Sequence, residues 1–547
     1  MLRVTKLSPR LNRRRDSIAV VVILAVTGAL LAGCGGSTKS PDANTSGQAS
    51  VLRVGTTFLP QNLNPMESTN SNQFTPSGTE TLMNVTPKLG FAPSLAVSWK
   101  AVTPLHWQFT LRKGVKFWDG NEMTATDVAF SLNELRNPRA LASRSLPPTI
   151  KDVKEVSRYQ VDIFLSEPDS AFLARLAASG SIFEKAYYEQ HKAKYGVPGN
   201  PVQVMGTGPY VPQSFDPTTG EELKAQEHYW GGKPRFKRVS IKFFQDVTSN
   251  ALAFRAGEVD VSFPNDPAGW EKAAGSKGII VDPFPSYLYW LIVNTRKAPW
   301  NDVHVRRAVA YALNQSELVD AYGKQFATPL QTFVASEWLE QLVPKADVDA
   351  LMAPVPKYSF DLAKAKAELA QSAYPHGATA TGFLFNGANL PLINQVIQAQ
   401  LAKIGITYKP QTLPSVGEYA ARLDGPKDKI TSFVINGNTW IPDAGAFFHQ
   451  HLGSWNLRTG AQDWSSYTQP EVDSLLRSAE KEYDPKKRAA IYGKILQIVN
   501  ADVPHIPLFT SHQIMALSSR YTFKYPSLVH LWPDTPWLNY VVPKGES

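Results

Sequence analysis

The side chains able to do chemistry are few, and none stands in a pattern that defines a reaction. A single residue separates His449 from His451. If they lay in a strand, both imidazoles would point to one side, where they could bind a metal ion. No third ligand accompanies them, and we favour a pair of surface or hinge-lining histidines. The adjacent carboxylates of Glu221 and Glu222 fit a solvated pair better than a catalytic dyad. Cys34 is the only cysteine, which excludes a disulfide scaffold and cysteine-based metal sites.

The sequence motifs of common enzyme classes are absent. We find no Gly-x-Ser-x-Gly elbow, no His-Glu-x-x-His and no phosphate-cradling Gly-x-x-x-x-Gly-Lys-Ser/Thr. Gly206 and Gly208 are followed by Pro209, so this segment is a turn rather than a dinucleotide-binding loop. We therefore expect a binding protein without catalytic residues, cofactor or resident metal. A secreted hydrolase is the alternative from another class.

Length and composition predict a large folded protein. The 547 residues are 43% hydrophobic and include 13 Trp, 20 Tyr and 26 Phe, which excludes a disordered chain. The formal net charge is +9, but residues 1–33 hold six basic side chains and one acidic, so +5 of it belongs to them. The small surplus on the remaining residues gives no reason to expect nucleic-acid binding.

The first 50 residues carry targeting signals. Residues 1–17 are basic and polar, and 18–31 form an apolar run of 14 residues, shorter than the roughly 20 that a membrane-spanning helix needs. This pattern is typical of a secretory signal peptide over residues 1–33. The Leu-Ala-Gly-Cys sequence that ends at Cys34 resembles a bacterial lipobox, in which the cysteine is lipidated and becomes the first residue; an incidental cysteine is the alternative. Residues 34–50 are small and polar and predict a flexible tether.

The rest of the chain mixes strand and helix patterns. Trp107, Phe109 and Leu111 alternate with polar residues, as in a half-buried strand. Thr124 and Asp127 have the spacing of a capping box and predict a helix start. Short strands (239–243, 432–435) and helical stretches (303–313, 361–369) alternate further along. The mixture predicts an α/β protein with more than one core.

These segments, in this order, resemble the solute-binding proteins of peptide and nickel ABC importers. The longest matching block is 95–131, with LAVSW, then FTLRKGVKFWDG and TATDVAFS. Further matches are GTGPY at 206–210, NDVHVRRAV at 301–309, the segment 398–406 and VPHIPL at 503–508. The resemblance covers about residues 51–545.

The resemblance implies a two-lobed α/β fold of the periplasmic-binding-protein type (type II, cluster C) with an additional domain in the first lobe. The first lobe is expected to comprise residues 51–84, 206–290 and 510–547. The additional domain is expected at 85–205 and the second lobe at 291–509.

The resemblance also implies where a ligand binds. Trp440 and Asp443 match the tryptophan and first aspartate of the family's GWxxDxxDP segment, whose aspartate pairs with the α-amino group of a bound peptide. Thr439 replaces the glycine of that pattern, and the part after Asp443 is shortened, so a turn-forming or helix-capping aspartate is the alternative. Asn438 and Ile441 complete this candidate ligand-binding segment, with Trp440 as a pocket wall.

Two aromatic side chains extend the candidate site. Tyr287 and Tyr289 share one face of a predicted strand, and Trp290 lies on the other. That face either lines the cleft or packs into the core.

The expected function is that of a lipoprotein, held on the extracytoplasmic side of the cell membrane by the lipid on Cys34. It would capture short peptides between its lobes and deliver them to an ABC permease, with ATP hydrolysed by partner subunits. We expect a monomer. Within the same fold, the alternative ligands are a nickel chelate, haem or an oligosaccharide. A structural lipoprotein without a ligand is a further alternative.

Overall fold

Short strands and helices alternate along the chain. The computed structural model describes residues 49–67, 78–86, 90–137, 140, 146–264, 266–385, 389–414, 416–437, 443–458, 463–524 and 537–546. All of these belong to one compact unit, Gln48–Ser547. The predicted signal peptide, Cys34 and nearly all of the predicted tether lie outside the described residues. No helix within the described ranges combines the length and the apolar character needed to cross a membrane.

The strands are mostly three to eight residues long. In chain order they are Ala49–Thr56 (β1), Met83–Val85 (β2), Phe91–Pro93 (β3), Ala96–Thr103 (β4), His106–Leu111 (β5), Ile150–Ser157 (β6), Gln160–Leu165 (β7), Tyr210–Asp216 (β8), Gly220–Ala225 (β9), Phe236–Phe243 (β10), Val261–Ser262 (β11), Ile279–Val281 (β12), Tyr287–Val293 (β13), Ala327–Pro329 (β14), Ala378–Phe385 (β15), Ile406–Leu413 (β16), Ser432–Gly437 (β17), His505–Ser511 (β18), Ile514–Leu517 (β19), Tyr521–Phe523 (β20) and Val541–Pro543 (β21).

The helices are concentrated in the second half of the chain. In order they are Ala125–Leu135 (α1), Phe172–Ser179 (α2), Lys185–His191 (α3), Val247–Arg255 (α4), Pro267–Ala274 (α5), Val303–Ala312 (α6), Gln315–Tyr322 (α7), Lys345–Met352 (α8), Leu362–Ala370 (α9), Leu390–Ala402 (α10), Val416–Asp424 (α11), Ala444–Leu452 (α12), Pro470–Lys481 (α13) and Pro485–Asp502 (α14).

A seven-stranded sheet in the order β12-β19-β11-β1-β10-β9-β8 forms the first structural unit. Strand β1 lies at its centre and pairs in parallel with β10 and β11. Leu52 and Val54 of β1 are buried on one face of this sheet. Between them, Arg53 points to the other face and bonds the buried carboxylate of Asp260 through Nε at 2.9 Å. We call this sheet, with α4 and α5, the seven-stranded unit.

A four-stranded antiparallel sheet, β4-β5-β7-β6, stands apart from the larger sheets. We call it, with α1 to α3, the four-stranded unit. Its buried side chains, such as Phe109 and Leu132, belong to the same continuous hydrophobic cluster as Leu52 and Val54 of the seven-stranded unit. Because one core runs through both units, we expect them to move together.

A six-stranded sheet in the order β14-β18-β13-β17-β15-β16 forms the remaining unit, with α6 to α14. We call it the six-stranded unit. Strand β13 is buried on both faces: Leu288 and Trp290 belong to one core cluster, and Tyr289 and Leu291 to another. A strand covered on both sides is almost continuously apolar, which explains the sequence YLYWLIV.

Several local predictions are confirmed. Helix α1 begins after Thr124, whose backbone N–H donates to the Asp127 carboxylate at 2.9 Å, as a capping box requires. Helices α6 and α9 cover the predicted helical stretches within one or two residues. The strands predicted at 239–243 and 432–435 lie within β10 and β17.

Two predictions are wrong. The favoured placement of the two histidines at the surface or hinge is wrong for His451, which is 1% exposed. Both lie in helix α12, where residues two apart point away from a common side, so the strand arrangement considered for a metal ion does not form either. Glu221 is not solvated: it is 1% exposed in β9, on the same inward face as Leu223. Its neighbour Glu222 points outward and accepts from Arg238 Nη2 at 3.0 Å.

Candidate functional site

Two neighbouring segments connect the seven-stranded and six-stranded units. Residues 282–286 lead from β12 to β13, and residues 512–513 lead from β18 to β19. The strands on either side of these crossings pair with each other, β12 with β19 and β13 with β18. The crossings themselves are joined by a hydrogen bond from the Asp282 N–H to the Gln513 carbonyl, 2.9 Å long. Two short adjacent crossings are the arrangement that a hinge between two bodies requires.

Three strand ends of the six-stranded sheet lie next to these crossings. Tyr287 at the start of β13 pairs with Ser511 at the end of β18. Its neighbour Leu288 pairs with Gly437, the last residue of β17. Residues 438–442 lie outside the described residues, and Asp443 then caps helix α12. The strand that precedes the predicted ligand-binding segment in the sequence therefore ends beside the hinge.

Four predicted site residues, Asn438, Thr439, Trp440 and Ile441, lie outside the described residues. Their predicted ligand contacts stay predictions, as does the lipidation of Cys34.

The two predicted tyrosines share one face of β13, as alternation requires, and Trp290 lies on the other. Tyr289 is 2% exposed, and its ring stacks on Phe509 with centroids 4.4 Å apart. Its hydroxyl donates to the Tyr322 hydroxyl at 3.4 Å, and the latter donates to Ser511 Oγ at 3.3 Å. Burial, followed by the neighbouring Tyr322, raises the pKa of Tyr289 well above its ordinary value. Tyr287 is half-buried, so it keeps the surface that a ligand contact needs.

Asp443 is the N-cap residue of α12. Its Oδ1 accepts a hydrogen bond from the Ala446 backbone N–H at 3.1 Å and another from Arg488 Nη2 at 2.5 Å. Only 11% of the Asp443 side chain and 7% of the Arg488 side chain are exposed. Within the described part of the chain, Oδ2 of Asp443 accepts no hydrogen bond. Asp443 therefore caps the helix through Oδ1, as the alternative expected. A contact between Oδ2 and a ligand ammonium stays a prediction.

Arg488 is held in place from two sides. Its Nε donates to the Tyr492 hydroxyl at 3.0 Å, one helical turn further along α14. Burial lowers the pKa of Arg488, but the Asp443 carboxylate and Tyr492 outweigh it, so the pKa lies above its ordinary value. The guanidinium is therefore charged, and the Asp443–Arg488 pair is neutral as a unit. A ligand ammonium at Oδ2 would add a second cation to a carboxylate that already has one.

Gly445 makes room for this arrangement. A Cβ atom at this position would overlap the Tyr492 hydroxyl and Nη2 of Arg488. The sequence near Asp443 does not predict its contact with Arg488 and Tyr492, because both lie more than forty residues further along the chain. The segment after Asp443 is shorter than in the family pattern, which indicates that the surroundings of this aspartate differ from those in the family.

The two histidines of α12 have separate surroundings. His449 Nε2 lies 2.9 Å from Glu480 Oε1, and its ring contacts Trp455. His451 is 1% exposed and packs among aromatic rings, including those of Trp290 and His505. Throughout the described ranges, no group of three or more His, Cys, Asp or Glu side chains is placed to hold a metal ion.

Two sheet-based units joined by two adjacent crossings, with a strand end beside those crossings, are the architecture of a two-lobed binding protein. The model of the bacterial extracellular solute-binding proteins, family 5, matches residues 90–458, more than half of the chain. The chain belongs to this family. The resemblance inferred from the motifs is confirmed, and the protein is by family an extracytoplasmic solute-binding protein.

Individual relatives are similar along most of their length. The heme-binding protein A of Haemophilus influenzae is 27% identical over 458 residues, which are 78% of this chain and 80% of the relative. The probable D,D-dipeptide-binding periplasmic protein DdpA of Escherichia coli K12 is 28% identical over 502 residues, 88% of this chain and 92% of the relative.

A solved structure shows the same fold. The periplasmic binding protein DppA of Helicobacter pylori, in complex with the peptide STSA, has a TM-score of 0.75 at 23% identity, and the match covers 91% of this chain and 98% of that one. The predicted two-lobed, type II periplasmic-binding-protein-like α/β fold is confirmed.

Proposed function

We propose that this protein is the ligand-capturing component of an ABC importer and that it binds short peptides between its two lobes. A permease and an ATPase would be its partners, and ATP would be hydrolysed by the latter. The protein itself would bind and release without chemical change. The family relationship supports a binding role, and the names of DdpA and of the STSA-bound structure support a peptide as the ligand.

The observation that carries the proposal is the position of Asp443. Asp443 caps the start of α12, and five residues separate it from Gly437, which ends β17 beside the hinge crossings. Its Oδ1 is used within the protein, whereas Oδ2 accepts no bond from the described residues. A partly exposed carboxylate oxygen in a dry setting is the group that a peptide ammonium requires. Tyr287 and residues 438–441 would contribute the surrounding surface.

The lobe boundaries stay proposals. The first lobe would comprise residues 51–84, 206–290 and 510–547, with the additional domain at 85–205 and the second lobe at 291–509. The shared hydrophobic cluster of the seven-stranded and four-stranded units supports placing them in one body. The crossings at 282–286 and 512–513 support the two lobe boundaries near residues 290 and 510.

Membrane anchoring is also a proposal. The basic segment, the apolar run and the single cysteine at 34 support cleavage of residues 1–33 and attachment of a diacylglycerol group to Cys34. Residues 34–50 would tether the folded part to the outer face of the membrane. In cells, palmitate labelling of the wild type and its loss in Cys34→Ser would support this. Equal labelling of both proteins would contradict it.

Ligand class is tested by thermal unfolding with a panel of probes. A ligand at 100 times its dissociation constant stabilises the folded state by about 2.7 kcal/mol, which a melting curve resolves. We expect stabilisation by a mixture of di- to nonapeptides and none by nickel–histidine or haemin. Stabilisation by haemin alone would favour the second candidate, haem, which the name of the Haemophilus relative supports.

The role of Asp443 is tested with matched peptides. Asp443→Asn keeps an oxygen for the helix cap and removes the charge. We expect it to weaken binding of a free peptide roughly ten- to hundredfold, and to leave the N-acetylated form of the same peptide unaffected. Asp484→Asn is the control, because Asp484 caps α14 in the same way with an exposed side chain. Equal losses for both peptides would contradict an ammonium contact.

A further inference from the structure

A second contact joins the two bodies, through the four-stranded unit rather than through the hinge. The backbone N–H of Ser170, just before α2, donates to the Glu480 carbonyl at the end of α13, 2.7 Å away. The Ser170 hydroxyl donates to the Ala479 carbonyl at 3.1 Å. The Asp169 N–H donates to the Tyr483 hydroxyl at 3.2 Å. We call residues 169–175 and 479–483, with the side chains facing them, the seam.

The charged groups of the seam are paired within each body. Arg175 Nη1 lies 3.0 Å from Asp169 Oδ2, inside the four-stranded unit, and both side chains are at least 95% buried. Glu480 Oε1 lies 2.9 Å from His449 Nε2, inside the six-stranded unit. Among the described residues two ion pairs cross the seam: the exposed pair of Lys481 Nζ and Glu167 Oε2 at 3.4 Å, and the pair of Arg175 Nη2 and Glu480 Oε1, which is the longest at 3.6 Å. Burial raises the pKa of Glu480, but His449 and Arg175 outweigh it, and the pKa lies below its ordinary value.

This division of partners decides how costly it is to open the seam. A buried charge that loses its only partner costs several kcal/mol. On separation, however, Arg175 keeps Asp169 and Glu480 keeps His449. The opening therefore breaks a few hydrogen bonds, the long Arg175–Glu480 pair and the exposed Lys481–Glu167 pair, and it leaves no buried ion without a partner; the exposed pair contributes little because water screens it.

The apolar part of the seam is small. It consists of Ala174 and Ala446, with Phe91 packed against them. By contrast, the four-stranded and seven-stranded units share a core cluster of several dozen side chains. Apolar burial scales with area, so two alanines and one phenylalanine hold the bodies together only weakly.

We propose that the seam is a releasable latch, through which the four-stranded unit closes on the six-stranded unit and reports on the candidate site. Ala446 connects the two. Its side chain packs on Ala174, and its backbone N–H bonds Oδ1 of Asp443 at the start of the same helix. Opening the latch frees the first turn of α12, and a group bound beside Asp443 favours the closed latch. The proposal rests on the proposed function only in that binding requires the lobes to part.

Hydrogen exchange of the unmodified full chain, without ligand, tests the latch. The Ser170 amide is bonded across the seam, whereas the Gly180 amide, at the far end of α2, is bonded to Leu176 of its own helix. We expect Ser170 to exchange faster than Gly180 and with little dependence on low denaturant concentrations, because opening exposes little surface. The same rate and denaturant dependence for both amides would show that the seam opens only on unfolding, and would overturn the proposal.

Paired variants sharpen the test. Glu480→Gln weakens the Arg175–Glu480 pair, while Lys481→Gln removes the exposed Lys481–Glu167 pair, which also crosses the seam but is screened by water and so contributes little. We expect Glu480→Gln to raise the Ser170 exchange rate about tenfold, the effect of one charge-assisted hydrogen bond, with Gly180 unchanged. Lys481→Gln should change neither rate. Equal Ser170 rates in the two variants would overturn the latch.

A disulfide provides the opposite perturbation. In a Cys34→Ser background, Ala174→Cys with Ala446→Cys should crosslink under oxidation and slow Ser170 exchange to the Gly180 rate. Exchange that stays fast in the crosslinked protein would contradict the proposal. If this variant does not fold, the Glu480→Gln comparison decides. None of these measurements needs a ligand, so peptide binding can fail while the latch is supported, and the reverse.

Discussion

Removing the Asp443 carboxylate should destabilise the six-stranded unit because Arg488 would be left without its counter-ion. Both side chains are about nine-tenths buried and 2.5 Å apart, so solvent screens the pair little. Breaking a buried pair by removing one partner costs about 3–5 kcal/mol, and loss of an N-cap costs about 1 kcal/mol more. Asp443→Ala should therefore lower the free energy of unfolding by roughly 4–6 kcal/mol.

A double-mutant cycle in urea measures the pair itself. Asp443→Asn should retain the cap and cost about 3–5 kcal/mol, and adding Arg488→Met should recover most of this, because no buried charge is then left alone. Tyr492 stacks on Phe448 and is not changed in any of these variants, so it can report on local packing. A cost below about 1 kcal/mol for Asp443→Ala would refute the buried pair, since that is the cost of a surface ion pair.

Three further perturbations test other parts of the structure. Gly445→Ala should destabilise nearly as much as loss of the pair, since its Cβ would displace Arg488 and Tyr492; a neutral result in the urea assay would contradict that geometry. Burial raises the pKa of Glu221 well above its ordinary value, so the stability of the fold is full below about pH 4.5 and falls as the pH rises above it; Glu221→Gln should abolish this fall in unfolding curves, and an unchanged fall would contradict the assignment. Burial lowers the pKa of His505, so stability should be full above about pH 6.5 and fall as pH drops below it; His505→Phe should remove that acid-side slope, and an unchanged slope would contradict the assignment.

The sequence predicted well where local pattern and burial agree. Spacing alone predicts three features: the capping box at Thr124 and Asp127, the helix that begins at residue 303, and the two faces of β13. Each depends only on residues close together in the sequence. The family motifs at 95–131 also predicted the fold. They cover β4, β5 and the first part of α1 in the four-stranded unit.

The two failures share one physical cause. His451 was expected at the surface or the hinge because of its residue type, although the surrounding AGAFFHQHL forms a mostly apolar helix and buries it to 1% exposure. Glu221 was expected in solvent because it is charged, although it shares the inward face of β9 with Leu223 two residues on. In each case the apolar residues around the side chain indicate that it is buried, whereas its own residue type suggests that it is exposed.

The remaining features depend on contacts distant in sequence. The Asp443–Arg488 pair joins residues 45 positions apart, and the seam bond from Ser170 to Glu480 joins residues 310 apart. No local pattern predicts such pairs, because neither partner's neighbours change with the pairing. These contacts follow only from the three-dimensional arrangement of the helices α2, α12, α13 and α14.

Native mass spectrometry of the full chain with an equimolar mixture of di- to nonapeptides tests the central claim most directly. If the two lobes close on a peptide, each chain should carry one peptide, and Asp443→Asn should retain N-acetylated but lose free peptides. The absence of any peptide adduct, with a one-to-one adduct of haemin in the same experiment, would contradict peptide capture.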